Sequence, residues 1–85
     1  MTHETINDLR NLVIAVRAAF PTLADEAIVP GLKLSHCPNW DSMTAVNLVM
    51  EIETACGVQM ANYEPTDTTT LADLAVAIVA AGGSP

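Results

Sequence analysis

Residues 40–58 read WDSMTAVNLVMEIETACGV, and their punctuation points to an all-α chain. Asp41 and Ser42 are both favoured helix caps, placed just before a run of apolar residues. Met43, Val46, Met50 and then Ile52 or Glu53 follow the helical period, and Val49 broadens the stripe. Gly57 supplies the residue that commonly follows a last helical turn. The spacing therefore predicts an amphipathic helix over residues 42–56, with Cys56 on its buried side as a small core hydrophobe. One such helix needs others to cover it.

The flanking segments supply them. Upstream, Ile6, Leu9, Val13, Val16 and Phe20 fall on one face of a helix over residues 5–20 that Pro21 stops, and Thr5 with Asp8 resembles a capping box. Downstream, Thr70-Leu71-Ala72-Asp73 opens a helix over residues 70–81, whose Leu71, Leu74, Ala75, Ile78 and Val79 are expected to face inward and which Gly82-Gly83 ends. A further short helical turn is expected near residues 62–66. Between the first two helices lies a long loop marked by Pro21, Pro30-Gly31 and Cys37-Pro38; Leu32 and Leu34, alternating around Lys33, are suited to pin it to the core. The expected architecture is one all-α domain over residues 1–85, a small bundle of three to four helices.

Composition narrows the possibilities. Half the chain is hydrophobic (51%), but only Phe20, Trp40 and Tyr63 are aromatic, so the core must be aliphatic. Three basic residues against ten acidic ones give a formal charge of -7, which would repel nucleic acid and anionic membrane surfaces. Arg10, Arg17 and Lys33 are the only bases, so Asp41, Glu51, Glu53, Glu64, Asp67 and Asp73 leave residues 41–85 without a positive partner. Such a field favours basic partners, and added salt or a divalent cation should relieve its self-repulsion. Two cysteines do not make a disulfide scaffold, and the apolar runs are too short for a membrane span. The expectation is a soluble, cytoplasmic protein, most simply a monomer.

Catalytic signals are weak. Ser42 lacks a G-x-S-x-G setting, His3 and His36 stand at no spacing that argues for a base beside it, and His36-Cys37 has no second ligand pair for zinc. No catalytic residue and no metal ligand is assigned. Ser42 is nevertheless distinctive: it places a hydroxyl where a helix presents unpaired N–H groups and the positive end of its dipole, a position suited to a phosphate-linked group. The plain alternative is that Asp41 or Ser42 only caps the helix.

The same run resembles the Asp-Ser-Leu motif and second helix of the acyl carrier proteins, here in an Asp-Ser-Met version. Val46, Leu48, Val49, Met50, Ile52, Glu53, Gly57 and Val58 match that family's apolar stripe, acidic position and helix-ending glycine. The similarity extends from about Ile6 to Ala81, including the long first loop, a short third helix near Tyr63 and the final helix. It implies a bundle of acyl-carrier type in which Ser42 carries a 4'-phosphopantetheine arm, transferred from coenzyme A by a magnesium-dependent phosphopantetheinyl transferase. The arm would hold an acyl group as a thioester. The resemblance further implies that Asp41, Glu51 and Glu53 meet basic patches on acyl-loading and acyl-processing enzymes, with Met43 supplying an apolar contact. Val46, Met50, Ile52, Ala55, Leu74 and Ile78 are then the expected lining of an acyl space, although a helical stripe of this kind is first of all core.

Departures from the family pattern are also present. The glycine common shortly before Asp-Ser is missing, and Asn47 stands where an acid is often found, which suggests a specialised lipid or secondary-metabolite pathway. Trp40 is either a loop anchor, as the usual burial of large aromatics favours, or an exposed contact for a dedicated enzyme. The chain would be a carrier, not an enzyme. Alternatives are an aminoacyl or D-alanyl carrier, or a small acidic interaction module without a prosthetic group.

Overall fold

The computed structural model describes residues 9–60 and 62–85. Three helices form among them: α1 (Arg10–Ala19), α2 (Ser42–Cys56) and α3 (Leu71–Ala80), with no strand. The central and final helices lie within a residue of their expected bounds. The expected first helix began at Thr5, and that start, with Ile6 and the Thr5–Asp8 cap, lies outside the described residues.

α1 packs along α2. Leu9, Leu12, Ala15, Val16 and Phe20 are buried on this side, with Val13 packed at its margin. On α2 the buried stripe is Leu48, Ile52 and Cys56, flanked by the partly buried Ala45, Val49 and Ala55. This corrects the expected register, because Met43, Val46 and Met50 are 80%, 62% and 58% exposed. Both stripes satisfy the helical period, so periodicity alone does not choose between them. Packing against α1 selects the stripe through residues 45, 48, 52 and 56, which has small residues at either end.

The long loop is pegged rather than loose. Ile28, Leu32, Leu34 and Cys37 are all buried, and single 3-10 turns form at Asp25–Ala27 and Leu34–His36. Around Lys33 the loop runs antiparallel to Thr70: the Leu34 amide donates to the Thr69 carbonyl (2.9 Å) and the Leu71 amide to the Leu32 carbonyl (3.1 Å). Backbone pairing thus adds to the leucine pegs, since the extended Leu32-Lys33-Leu34 segment sends its two leucines to one side.

α2 ends at Gly57, in the left-handed conformation (φ 68°), with the Gly57 and Val58 amides both donating to the Glu53 carbonyl. The short helix expected over residues 62–66 does not form in the described part of that segment. The chain makes one turn, the Tyr63 amide donating to the Met60 carbonyl (3.0 Å), and then runs irregularly to Asp67. Pro65 has no amide to continue a helix and biases Glu64 away from helical geometry. On α3, Leu71, Leu74 and Ile78 are fully buried and Ala75 is half-buried, but Val79 is 61% exposed, against expectation. It lies a further 100° around the helix from Ile78, beyond the reach of the other elements.

Past α3, Gly83 lies so close to Val58 that any side chain there would collide with it. The chain then reaches back, with the Ser84 amide on the Cys56 carbonyl (3.3 Å) and the Leu12 amide on the Pro85 carbonyl (2.7 Å). The Cα radius of gyration, 11.4 Å, is close to the roughly 12 Å of a compact chain this long, consistent with one shared core.

Candidate functional site at the start of the central helix

The entry to α2 is organised by a reciprocal cap. Asp41 Oδ1 accepts the Thr44 amide (2.8 Å), while Thr44 Oγ1 accepts the Asp41 amide (2.8 Å). The left-handed residue of the turn just before it is Asn39 (φ 59°); after glycine, asparagine is among the residues that adopt this conformation most readily. The cap therefore belongs to Asp41 and not to Ser42. Ser42 is the first helical residue, exposed, and its hydroxyl makes no hydrogen bond among the described residues. The Ser42 and Met43 amides likewise have no partner there. A free hydroxyl thus coincides with two open helix N–H groups, where a negative charge is stabilised.

Beside Ser42 lies a groove of about 800 Å³. α2 forms one wall with Ala45, Val46, Val49, Met50 and Glu53, Trp40 and Asp41 stand at its head, and Tyr63, Glu64, Pro65 and Asp67 form the other wall. Trp40 is half-buried, 6.4 Å from the Phe20 ring, and its indole N–H donates to Asp67 Oδ1 (2.8 Å). It both anchors the loop and lines the groove. Glu53 Oε2 accepts the Met60 amide (2.9 Å), which holds the start of the far wall against α2.

Of the residues expected around an acyl space, Val46 and Met50 line this groove. Ile52, Leu74 and Ile78 lie fully buried in the core, and Ala55 packs against it. Among those expected to meet partners, Asp41 and Met43 are exposed, Glu51 is half-exposed, and the half-buried Glu53 carries the loop contact just described. The far wall was missed by the sequence pattern. Its one usable signal is that Trp40 and Tyr63, two of only three aromatics, stand in polar segments on either side of α2.

The remaining reactive groups lie elsewhere. Cys37 and Cys56 are buried free thiols, and burial pushes both thiol pKa values up. Burial also raises Tyr63, with the Asp73 charge adding to the effect and a hydrogen bond to Thr69 opposing it. Among the described residues no group of three or more acidic, histidine or cysteine side chains is placed to hold a metal ion, and no helix is long and apolar enough to cross a membrane. Compared with known proteins, the chain matches no family model, no curated protein and no solved structure.

Proposed function

We propose that the chain is a discrete acyl carrier protein with Ser42 as the attachment point of a 4'-phosphopantetheine arm. The observation that carries this is the division of labour at the entry to α2: Asp41 and Thr44 close the cap, so the Ser42 hydroxyl is exposed with no structural task, at an open helix N-terminus.

The residues fit such a group. Ser42 Oγ provides the ester oxygen, and the open Ser42 and Met43 amides favour the negative charge of a phosphodiester. The Asp41 carboxylate keeps its charge and opposes that of the phosphodiester, but both are exposed to water, which screens the repulsion. Ala45, Val46, Val49 and Met50 offer an apolar wall beginning next to Ser42. The arm, once attached, supplies a terminal thiol that holds an acyl group as a thioester. The chain's own part is to present, orient and partly shelter that group.

Partner exchange is served by the outward side of α2. Met43, Val46 and Met50 form an exposed apolar strip, bordered by Asp41 and Glu51. An apolar contact with an acidic rim suits brief visits by basic enzymes, because rim charges act mainly on the association rate.

The test is intact mass after incubation with coenzyme A, magnesium and a broad-specificity phosphopantetheinyl transferase. Wild type is expected to gain one phosphopantetheine and Ser42→Ala none. A folded wild-type sample that gains nothing would overturn the carrier assignment and leave an acidic interaction module.

A further inference from the structure

The groove beside Ser42 has an unusual combination of walls. Its apolar surface comes from Ala45, Val46, Val49 and Met50, with Trp40, Tyr63 and Pro65, while four carboxylates stand among them: Asp41, Glu53, Glu64 and Asp67. None of the chain's three bases, Arg10, Arg17 and Lys33, lines the groove, and Arg17 pairs with Asp25 at 3.3 Å.

Three of these carboxylates are positioned by neutral donors through one oxygen each: Asp41 by the Thr44 amide, Glu53 by the Met60 amide, Asp67 by the Trp40 indole. Their second oxygens, and both of Glu64, have no partner among the described residues. A purely hydrocarbon chain laid in the groove would cover part of these charges and weaken their hydration without replacing it. An alkyl chain ending in an ammonium would bury its methylenes against Val46, Val49 and Met50 and bring one positive charge to the carboxylates.

We infer that the groove selects, as the carried group, an acyl chain bearing a primary ammonium: an amino-acyl rather than a plain fatty-acyl cargo. This rests on Ser42 being the attachment point, and names the cargo class for that site. A lysine of a partner protein offers the same chemistry. The volume of about 800 Å³ and the start of the groove at Ser42 favour a whole tethered group over a single visiting side chain.

Two experiments on the full chain decide it. In the first, unmodified protein is titrated at low salt with pentylammonium, pentanol and pentanoate, following the Trp40 indole and Met50 methyl signals by NMR. Pentylammonium is expected to bind about tenfold more tightly than pentanol, the order of one partly screened charge pair, and pentanoate more weakly than either. Glu64→Gln, at an exposed residue without a structural bond, and Glu53→Gln, which keeps an acceptor for Met60, should each reduce the preference. Pentanol binding as tightly as the amine would overturn the inference.

In the second, Ser42 is loaded from coenzyme A analogues carrying a pentyl or a 5-aminopentyl thioether, with loading read by intact mass. The aminopentyl form should shift the Trp40 indole signal beyond the pentyl form, and 0.5 M salt should erase the difference, an effect of order the screening at a Debye length of a few ångströms. Equal spectra from the two loaded forms would remove the cargo class and leave the carrier intact. Failure of both analogues and of coenzyme A itself to load would remove the carrier, and the cargo assignment with it.

Discussion

α2 and α3 begin with the same device in mirrored chemistry. Asp41 and Thr44 form the capping box of α2, and Thr70 and Asp73 form that of α3. Their surroundings differ completely. At α3 the first donors are all taken: the Leu71 amide by the Leu32 carbonyl, the Ala72 amide by the Pro30 carbonyl, and the Asp73 amide by Thr70 Oγ1. Its first helical residue, Leu71, is fully buried. At α2 the corresponding residue is the exposed Ser42, and the first two amides are open. A capping box therefore sets where a helix starts without deciding whether that start is an anchor or a site. The loop decides: it packs onto one helix start and turns away from the other at Asn39-Trp40.

The most direct way to break this contrast is to exchange the first helical residue on each side. Ser42→Ala should abolish phosphopantetheine loading, read by intact mass, while changing stability by about 0.5 kcal/mol or less, because the cap is Asp41 and the site is exposed. Leu71→Ala should do the reverse. Removing a fully buried leucine costs about 2–5 kcal/mol, readable by urea or thermal unfolding, and whatever fraction stays folded should still load at Ser42. Loss of loading in folded Leu71→Ala, or a large loss of stability in Ser42→Ala, would mean that the two helix starts are not independent.

Much of this contrast was legible in the sequence, because caps and stops are local. Asp41-Ser42, Thr70 to Asp73, Gly57 and Gly82-Gly83 announce themselves by residue type, and the helix bounds followed. Orientation was less legible. α2 carries two apolar stripes of nearly equal periodicity, and the choice of residues 45, 48, 52 and 56 over Met43, Val46 and Met50 depends on how α1 packs, a tertiary fact. The far wall of the groove was hidden for a related reason. Tyr63, Glu64 and Asp67 sit in an irregular segment whose position depends on long-range bonds from Met60 to Glu53 and from Trp40 to Asp67. Short-range pattern does not report such bonds, and the same segment misled the expectation of a helix near Pro65.

The caps themselves give a smaller and sharper test. Thr70→Ala and Asp41→Ala each remove the acceptor of a first-turn amide and should cost about 0.5–2 kcal/mol. Thr70 is half-buried, so its loss is expected at the upper end of that range; Asp41, exposed to water, should lie at the lower end. Asp41→Asn keeps an oxygen acceptor and should restore most of the stability. Thermal unfolding resolves the difference, since 1 kcal/mol corresponds to roughly 4–8 °C in a domain of this size. Equal costs would indicate that the partial burial of Thr70 adds nothing to its cap.

The smallest effect concerns the other end of α2, where Cys56 provides a second nucleophilic atom under opposite conditions. Ser42 is exposed at the open end; Cys56 is buried at the closed end, and burial holds its thiol, like that of Cys37, above the ordinary value. A raised value favours the protonated thiol in the folded state, so the unfolded chain releases its proton first as pH rises. Their contribution to stability is therefore fully present below about pH 9 and is lost progressively above it. At neutral pH iodoacetamide should alkylate neither cysteine in the folded protein, while urea should expose both within the mixing time. From about pH 9 upward, alkylation should accelerate together with a modest fall in the unfolding midpoint. Rapid labelling of Cys56 at neutral pH, in protein that still loads at Ser42, would show that α2 opens at its C-terminal end without unfolding, and the division into an open start and a closed end would no longer hold.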